Sequence, residues 1–384
     1  MTTPRIFFYV QHLLGIGHLK RAAAVARALV EAGASVDLVL GGAPVSGIAP
    51  AGARVVQLPP AIASDAQFTN LLDEAGNKVD ESWKARRKQT LLAAFEEAKP
   101  DIVLLEMYPF GRRQFRFELL PLLDRIAGQY PKPLVAVSVR DILVDKGRMD
   151  RAREAADIVK KHVDQVLVHG DPSLTRLDLT FPLAREIADK LTYTGFVVER
   201  PIAADPFADR EDGEILVSAG GGAVGFPLLA AAIRAKRLTR HRQRRWRIVT
   251  GANLPAADRK ELDKLAVGDP GITIEGFRAD FGSLLATCQL SVSQGGYNTI
   301  MELIATRCPS VVVPFAEGGE SEQTLRARML VERQVLSMVD PEFLTAGTLA
   351  AAIDAVRPPA ELALNLDGAR QSAAGLIAAW KKRT

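Results

Sequence analysis

The sequence predicts an α/β protein made of two doubly wound, Rossmann-like domains, each with a parallel β-sheet between helices. Apolar runs alternate with helical patterns along most of the 384 residues. The runs are continuous rather than alternating with polar residues, which is typical of parallel strands buried on both faces. The alternation stops once, near the middle of the chain, in a stretch rich in Pro, Asp, Glu and Arg.

This stretch, residues 198–213, is predicted to be the linker between an N-terminal domain (1–197) and a C-terminal domain (214–384). Each half is long enough to bury its own core. The last helix, about residues 365–384, could pack back on the N-terminal domain. Ligands of open parallel sheets bind beyond the carboxyl ends of the strands. We therefore expect the two domains to face each other across a cleft, with the functional residues directly after the strands.

Eleven apolar runs predict the strands of the two sheets. They are RIFFYV, SVDLVLGG, ARVVQL, DIVLLEM, LVAVSV and QVLVHG in the first half, and EILVSAG, RWRIVTG, ITIEGF, LSVSQ and PSVVVPF in the second. The first helix is predicted in HLKRAAAVARALVEAG, where Leu19, Ala22, Ala26 and Leu29 form one apolar stripe and Gly33 ends the helix. Residues 61–90 fit no strand and are interpreted as a mobile flap.

Composition places the chain in the ordinary globular range, with 48% hydrophobic and 24% charged residues. No apolar run approaches the ~18 residues of a membrane span. The N-terminal apolar stretch lacks a signal-peptide cleavage site and is interpreted as a first buried strand. Cys288 and Cys308 lack metal-ligand spacing and are interpreted as core thiols, which favours a cytoplasmic location.

Residues 234–247 (RAKRLTRHRQRRWR) carry eight Lys or Arg side chains. One interpretation is a solvated helix end and loop. The other is a peripheral contact with anionic lipid head groups at the inner face of a membrane. Nucleic acid is not an expected partner, because the run has one aromatic residue, Trp246, and no recognisable binding module.

Glycine-rich turns follow the first strand of each half. Gly15-Ile16-Gly17-His18 would let a ligand approach the backbone, with His18 on the first turn of the helix. The third glycine of the dinucleotide fingerprint is missing, so no nicotinamide cofactor is expected. The second turn includes Gly220, Gly221 and Gly222 and lacks the P-loop Lys, so its backbone N–H groups would either cradle a diphosphate or form a turn without a ligand.

Two further motifs follow the last strands. Gly295 and Gly296 precede Asn298, Thr299 and Glu302. Here Thr299 and Glu302 are either a capping box, with Asn298 as a cap residue, or Glu302 accepts hydrogen bonds from the two hydroxyls of a ribose.

The last motif ends in Glu320-Ser321-Glu322-Gln323, and Glu317 comes three residues before it. Ser321 is interpreted as a helix cap. Carboxylates are costly to bury without partners, which a polyhydroxyl ligand would supply.

Together these motifs resemble GT-B glycosyltransferases, in particular the family of the peptidoglycan N-acetylglucosaminyltransferase that forms lipid II. The shared pattern is Gly-Gly-x-x-Thr-x-x-Glu after a strand, then a strand ending in Pro, then an acid and Gln before a helix. The Gly-x-Gly-His turn matches as well. The family has a histidine early in the last motif, where this sequence has residues 317–320 (EGGE), so the donor sugar is left open.

The resemblance implies a role for each matching residue. Gly17 and His18 would lie near the reacting centre. His18 is either the general base, as a histidine facing the cleft suits, or a residue that caps the helix or contacts a phosphate. Glu106 and Asp141, at strand ends, either act as the base, line the acceptor site or are structural caps. The following residues would bind the donor: Gly220, Gly221 and Gly222 the diphosphate; Phe277 and Arg278 the base; Gly295, Gly296 and Thr299 the phosphates; Glu302 the ribose; Glu322 and Gln323 the sugar. Gly15, Gly17, Asn298 and Glu320 are expected binding residues without an assigned part of the donor.

The implied function is metal-independent transfer of a hexose or N-acetylhexosamine from a nucleotide sugar, with UDP expected, in polysaccharide or glycolipid biosynthesis. The acceptor would be a sugar, a lipid-linked molecule or a small molecule. No cofactor is expected, and no Asp-x-Asp metal motif occurs. The alternatives are a nucleotide-sugar epimerase or hydrolase of the same fold, or a non-catalytic nucleotide-sugar-binding protein.

Overall fold

A computed structural model describes residues 3–13, 17–63, 70–143, 148–198, 210–221, 224–316 and 321–383. The chain divides into two compact units. Unit 1 comprises Met1–Val198 and Leu364–Thr384, and unit 2 comprises Glu199–Ala363. The predicted linker, 198–213, begins at this boundary, and most of it lies outside the described residues.

Unit 1 contains a seven-stranded parallel sheet in the order β3-β2-β1-β6-β7-β8-β9. The strands of unit 1 are β1 (Arg5–Val10), β2 (Ser35–Leu40), β3 (Ala53–Gln57), β4 (Ile62–Ala63), β5 (Leu71–Leu72), β6 (Ile102–Glu106), β7 (Leu134–Arg140), β8 (Gln165–His169) and β9 (Leu191–Tyr193). Its helices are α1 (Gly17–Glu31), α2 (Glu81–Ala98), α3 (Arg116–Ala127) and α4 (Met149–His162).

Unit 2 contains a six-stranded parallel sheet in the order β12-β11-β10-β13-β14-β15. These strands are β10 (Ile215–Ser218), β11 (Trp246–Val249), β12 (Ile272–Glu275), β13 (Leu290–Gln294), β14 (Ser310–Val313) and β15 (Ser337–Met338). The helices are α5 (Phe226–Ala235), α6 (Ala256–Ala266), α7 (Phe281–Thr287), α8 (Tyr297–Ala305), α9 (Glu322–Glu332) and α10 (Ala346–Ala355). The last helix of the chain, α11 (Gly368–Lys381), belongs to unit 1.

Strand β1 shows why the predicted runs are continuously apolar. Phe7 and Tyr9 lie in the core on one face of the sheet, while Ile6, Phe8 and Val10 lie in the core on the other face. Both faces of the strand are therefore dry, and every position favours an apolar side chain. All eleven predicted strands are present, and the two parallel-sheet domains are confirmed.

Helix α11 completes the core of unit 1. Its side chains Leu376 and Trp380 lie in the same apolar cluster as Phe8 of β1 and Leu29 of α1. The C-terminal segment therefore packs with helices and strands that precede it by more than 300 residues in sequence.

The prediction for residues 61–90 is wrong. The structure places an antiparallel pair there, β4 with β5, and the start of α2. The strands have two residues each, which is too short for a periodic signal. Helix α2 was missed because the charged Arg87 lies in its buried stripe, where it is ion-paired with Glu118 at 2.8 Å.

The structure has no helix, among the residues it describes, that is long and apolar enough to span a membrane.

Candidate active site

The first cluster of polar side chains lies in unit 1, where β6 ends beside the start of α1. His18 is the second residue of α1, and Glu106 is the last residue of β6. The Nδ1 atom of His18 lies 3.1 Å from Oε1 of Glu106. Arg21, one helical turn after His18, donates to the same Oε1 atom, and its Nη2 also lies 3.1 Å from Nδ1 of His18.

Two partners of opposite kind lie at Nδ1 of His18. The Glu106 carboxylate only accepts hydrogen bonds and favours a proton on Nδ1, whereas the Arg21 guanidinium only donates and favours a bare Nδ1. When Arg21 and His18 both donate to Glu106, the His18 proton is on Nδ1 and Nε2 keeps its lone pair. His18 is 18% exposed, whereas Glu106 is fully buried, so the imidazole keeps some access to solvent while the carboxylate does not.

Positive charge surrounds this histidine. Burial lowers the pKa of His18 well below its usual value, and the guanidinium charges of Arg112, Arg140 and Arg21 lower it further. Burial likewise lowers the pKa of Arg112 to about 10. His18 is therefore a neutral imidazole at neutral pH, which is the form that accepts a proton.

Glu106 has a second set of partners on the neighbouring strands. Its Oε2 atom accepts a hydrogen bond from Ser138 Oγ at 2.6 Å. Ser138 Oγ lies 2.7 Å from Nε2 of His169, whose Nδ1 lies 2.9 Å from Thr194 Oγ1. All these side chains are buried. No sequence motif marks Arg21, Ser138 or His169, although Ser138 and His169 stand near the ends of predicted strands.

Asp141 is the first residue after β7 and is fully buried. A Cβ atom at Gly170 would lie 2.4 Å from the Cβ of Asp141, so this close approach of two loops requires glycine. Its role as a general base stays a prediction. Gly15 lies outside the described residues, and Gly17 is the exposed first residue of α1.

In unit 2, the loops after β10 and β11 pack backbone against backbone. Gly220 has φ +59° and Gly251 has φ +81°. A Cβ at Gly251 would lie 2.3 Å from the carbonyl oxygen of Gly220, so only glycine fits. Gly220 and Gly221 are exposed just before α5, and Gly222 lies outside the described residues. This loop leaves backbone open near a helix N-terminus, as binding of a diphosphate requires.

The capping-box interpretation of Thr299 and Glu302 is wrong. Helix α8 begins at Tyr297 with Gly296 as its N-cap, and no side chain caps it. Asn298 and Thr299 are therefore helical residues of the first turn, and Glu302 lies in the second turn. All three are partly exposed, which is compatible with ligand contact.

Gln323 and Glu322, at the start of α9, have different surroundings. Gln323 Oε1 accepts a hydrogen bond from the backbone N–H of Phe315 at 3.0 Å, and a Cβ at Gly295 would come within 3.3 Å of this oxygen. Glu322 is 2% exposed and is ion-paired at 2.8 Å with the buried Arg326. The Glu322 carboxylate is thus neutralised within α9 by Arg326, and its expected contact with the sugar stays a prediction.

Arg326 connects this ion pair to α8. Its guanidinium lies 5.2 Å from the centre of the Tyr297 ring. Ser321 stands at the N-cap position of α9 without a side-chain capping bond, and Glu320 lies outside the described residues. The beginnings of α8 and α9 are therefore tied together by side chains.

Phe277 and Arg278 follow β12. Phe277 is 51% exposed, as a side chain that borders a nucleotide base would be. Arg278 pairs with Glu275 at 3.0 Å and with Asp280 at 2.7 Å. These ion pairs fix the turn that presents Phe277.

Residues 216–378 match the glycosyltransferase family 28 C-terminal domain. The match covers the described loops that follow the strands of unit 2. A curated relative from Exiguobacterium sp. (strain ATCC BAA-1283 / AT1b), UDP-N-acetylglucosamine–N-acetylmuramyl-(pentapeptide) pyrophosphoryl-undecaprenol N-acetylglucosamine transferase, is 37% identical over 92 residues, which is 24% of this chain and 26% of the relative. The chain spans 26% to 47% of the length of the first three curated relatives it matches.

Two solved structures match over the whole chain. MurG of Acinetobacter baumannii gives a TM-score of 0.58 at 14% identity, covering 99% of this chain and 100% of that one. The calicheamicin glycosyltransferase CalG4 gives 0.61 at 15% identity, covering 100% of both. The chain has the GT-B glycosyltransferase fold.

The family match covers the sequence motifs of the C-terminal half only. The family match begins at Leu216 and thus lies mainly in unit 2. The His18–Glu106 contact lies in unit 1, outside the matched residues. Among the described residues, no group of three or more His, Cys, Asp or Glu side chains could hold a metal ion.

Proposed function

We propose that this chain transfers a hexose or N-acetylhexosamine from a UDP-sugar to an acceptor hydroxyl, with His18 as the general base. The observation that carries the proposal is the contact of His18 Nδ1 with the buried Glu106. Nε2 of His18 takes the proton of the acceptor hydroxyl as the bond to the sugar forms. Glu106 keeps the imidazole in the accepting tautomer and stabilises the positive charge that develops on it.

Unit 2 supplies the donor site in this proposal. The family 28 match and the exposed glycine loop before α5 support it. Backbone N–H groups at the starts of α5 and α8 would stabilise the departing diphosphate with fixed dipoles, so neither a metal ion nor a cofactor is required. The curated relatives are described as acting on UDP-N-acetylglucosamine, which makes it the first donor to test.

The acceptor is proposed to be a lipid-linked diphosphate. The printed names of the relatives include a pyrophosphoryl-undecaprenol acceptor. The positive charges of Arg112 and Arg140 act on His18, so the surroundings of the base favour an anionic acceptor. Free sugars and small molecules are the other acceptor classes to compare.

The test is incubation of the full-length protein with UDP-N-acetylglucosamine, UDP-glucose or UDP-galactose, with and without a short-chain polyprenyl diphosphate sugar. Mass spectrometry identifies the products. Sugar added to the acceptor supports the proposal. An isomerised donor would instead identify an epimerase, and free sugar a hydrolase. Binding of UDP by calorimetry without any turnover would identify a non-catalytic binding protein.

The basic run at 234–247 supports a second part of the proposal, a cytoplasmic protein bound peripherally to anionic lipid. Leu238, within the run, is 60% exposed. Five arginines of the run are also exposed: Arg234, Arg237, Arg240, Arg242 and Arg245. Each basic side chain near an anionic surface contributes about 1 kcal/mol.

Sedimentation with vesicles tests this contact. We expect binding to phosphatidylcholine vesicles that contain phosphatidylglycerol, and loss of binding in high salt or in the triple variant Arg237→Glu, Arg240→Glu, Arg242→Glu. The control exchanges three exposed arginines outside the run, Arg86, Arg125 and Arg370, for Glu. Equal binding to neutral and anionic vesicles, or none to either, would identify the run as a solvated surface.

A further inference from the structure

Four neighbouring strands of unit 1 end in a continuous chain of buried hydrogen bonds. Glu106 ends β6, Ser138 lies opposite it in β7, His169 ends β8, and Thr194 directly follows β9. The consecutive distances are 2.6 Å, 2.7 Å and 2.9 Å. These strands are adjacent in the sheet, so each residue contacts the next across one strand spacing.

The chemistry of the partners fixes the direction of every bond. Ser138 has one O–H, and ionised Glu106 can only accept, so the 2.6 Å contact requires that Ser138 donates to Glu106. Ser138 Oγ must then accept at its 2.7 Å contact with His169, which places the His169 proton on Nε2. The bare Nδ1 of His169 accepts from the hydroxyl of Thr194.

The opposite direction of the hydrogen bond between Ser138 and His169 is unfavourable. If Ser138 donated to His169, its lone pairs would face a carboxylate oxygen at 2.6 Å with no proton between them. Burial and the charge of Arg21 lower the pKa of His169 to about 3, so the ring is neutral and holds a single proton at physiological pH. The hydroxyl of Thr194, the ring of His169 and the hydroxyl of Ser138 thus all donate toward the same carboxylate.

We propose that Ser138 and His169 are positioning residues for the His18–Glu106 pair: they orient the Glu106 carboxylate, and through it hold the His18 proton on Nδ1. This inference rests on the proposed function, because it assigns His18 the task of accepting a proton at Nε2. The charged and titratable groups that act on this pair come from the segment after β1, from α1, from the loop before α3, and from β7 and β8: His12, Arg21, Arg112, Arg140 and His169.

A first measurement does not depend on turnover. Two-bond ¹H–¹⁵N correlation spectra of the full-length protein, labelled with ¹⁵N at its five histidines, distinguish the two neutral tautomers. We expect His169 as the Nε2–H form and His18 as the Nδ1–H form at pH 7, with assignments from His169→Gln and His18→Gln. A neutral His169 with its proton on Nδ1, or a charged His169, would overturn the proposal.

A second measurement is the pH profile of kcat/KM. Ser138→Ala removes a hydrogen bond to a charged group, which corresponds to a loss of roughly ten- to a hundredfold in kcat/KM. We also expect the acidic limb of the profile to move to higher pH by about one unit, because the carboxylate has lost a donor. Ser138→Thr keeps the hydroxyl and should restore both the rate and the limb.

His169 is tested in the same way. His169→Gln keeps an N–H donor at the position of Nε2 and should retain most of the rate, whereas His169→Leu should behave like Ser138→Ala. The control is Ser291→Ala, which removes a buried hydroxyl contact of 2.6 Å with Ser293 in β13 of unit 2. The Ser291→Ala variant should not change the pH at which kcat/KM falls on the acidic side of the profile.

The outcomes separate the two proposals. An unchanged acidic limb in folded Ser138→Ala and His169→Leu proteins would overturn the positioning role while leaving sugar transfer intact. Absence of any turnover in the wild-type protein would overturn the proposed function, and the tautomer measurement would still decide the direction of the hydrogen bonds.

Discussion

Nδ1 of His18 lies 3.1 Å from Oε1 of Glu106, although 88 residues separate them in sequence. Strand β6 pairs directly with β1, after the chain has formed β2, β3 and α2. The end of β6 is therefore next to the turn that leads from β1 into α1. The topology of the sheet brings the base and its carboxylate together.

The first prediction concerns the base. His18→Ala should lower kcat by roughly 10²–10⁴-fold, the usual contribution of general acid–base catalysis. UDP affinity should change little, because the donor-side residues belong to unit 2. Steady-state kinetics and UDP calorimetry on the same preparation measure both. His162→Ala is the control, since His162 is a buried histidine at the end of α4. A turnover near that of the control would exclude His18 as the base.

The second prediction concerns the carboxylate. Glu106→Gln keeps the shape of the side chain and removes the charge that pairs with Arg21. The amide can donate to Nδ1 of His18, which would favour the wrong tautomer, so we expect kcat to fall by about 10²-fold or more. Asp164→Asn removes a partly exposed carboxylate that pairs with Arg383 at 2.8 Å and serves as the control. Equal kcat in both variants would contradict the role of Glu106.

The sequence predicted this site only in part. His18, Glu106 and Asp141 could be selected because they follow predicted strands, where parallel sheets bind their ligands. Ser138 and His169 also stand near the ends of predicted strands, but no motif or charge marks either of them for a role. Their role depends on the order β6-β7-β8-β9, which is a property of strand pairing and not of any local pattern.

In unit 2, local sequence rules gave wrong assignments for some of the residues expected to bind the donor. The glycines and Gln323 were recognisable from the motif, but local rules misread Thr299 and Glu302 as a capping box. Helix α8 begins three residues earlier than such a box requires, with Gly296 rather than Thr299 at the N-cap. Glu322 could not be separated from Gln323 by pattern, because only the fold shows that Arg326 lies one turn away to pair with it.

The third prediction concerns Glu302. If it accepts the ribose hydroxyls, Glu302→Ala should weaken UDP binding by roughly ten- to a hundredfold, since hydrogen bonds to a charged group contribute about 1.5–3 kcal/mol. Calorimetry and thermal unfolding of the same variant measure affinity and stability. The control is Thr345→Ala, because Thr345 forms a true capping box with Thr348 at the start of α10. The control should lose about 1 kcal/mol of stability and no UDP affinity.

The opposite pattern for Glu302 would contradict the ribose contact. Unchanged affinity with lowered stability in Glu302→Ala would mean that its carboxylate only stabilises α8.

The fourth prediction concerns metal ions. Turnover should persist in excess EDTA, because the proposed stabilisation of the leaving diphosphate comes from backbone N–H groups at helix N-termini. The rates are compared before and after chelation, and after Mg²⁺ or Mn²⁺ is added back. A rate abolished by EDTA and restored by either ion would contradict the prediction.

The last prediction follows from the burial of His169, whose folded-state pKa of about 3 lies far below the value near 6.5 in an unfolded chain. As the pH falls below about 6.5, the unfolded chain binds a proton at this position and the folded protein does not. The free energy of unfolding therefore decreases by up to about 1.4 kcal/mol per pH unit for this one group. The stabilisation is fully present above pH 6.5 and is lost progressively as the pH falls toward the folded-state pKa.

His169→Gln removes this proton-binding site from both states. In urea titrations between about pH 6.5 and pH 5, above the range in which most carboxylates titrate, the slope of unfolding free energy against pH should be smaller in the variant than in the wild type. Comparing slopes cancels any pH-independent loss of packing in the variant. His241→Gln is a positive control: burial and neighbouring arginines also lower the pKa of His241, so this variant should also reduce the slope. Identical slopes for wild type and His169→Gln would mean that His169 takes up a proton in the folded protein, which its burial between Ser138 and Thr194 opposes.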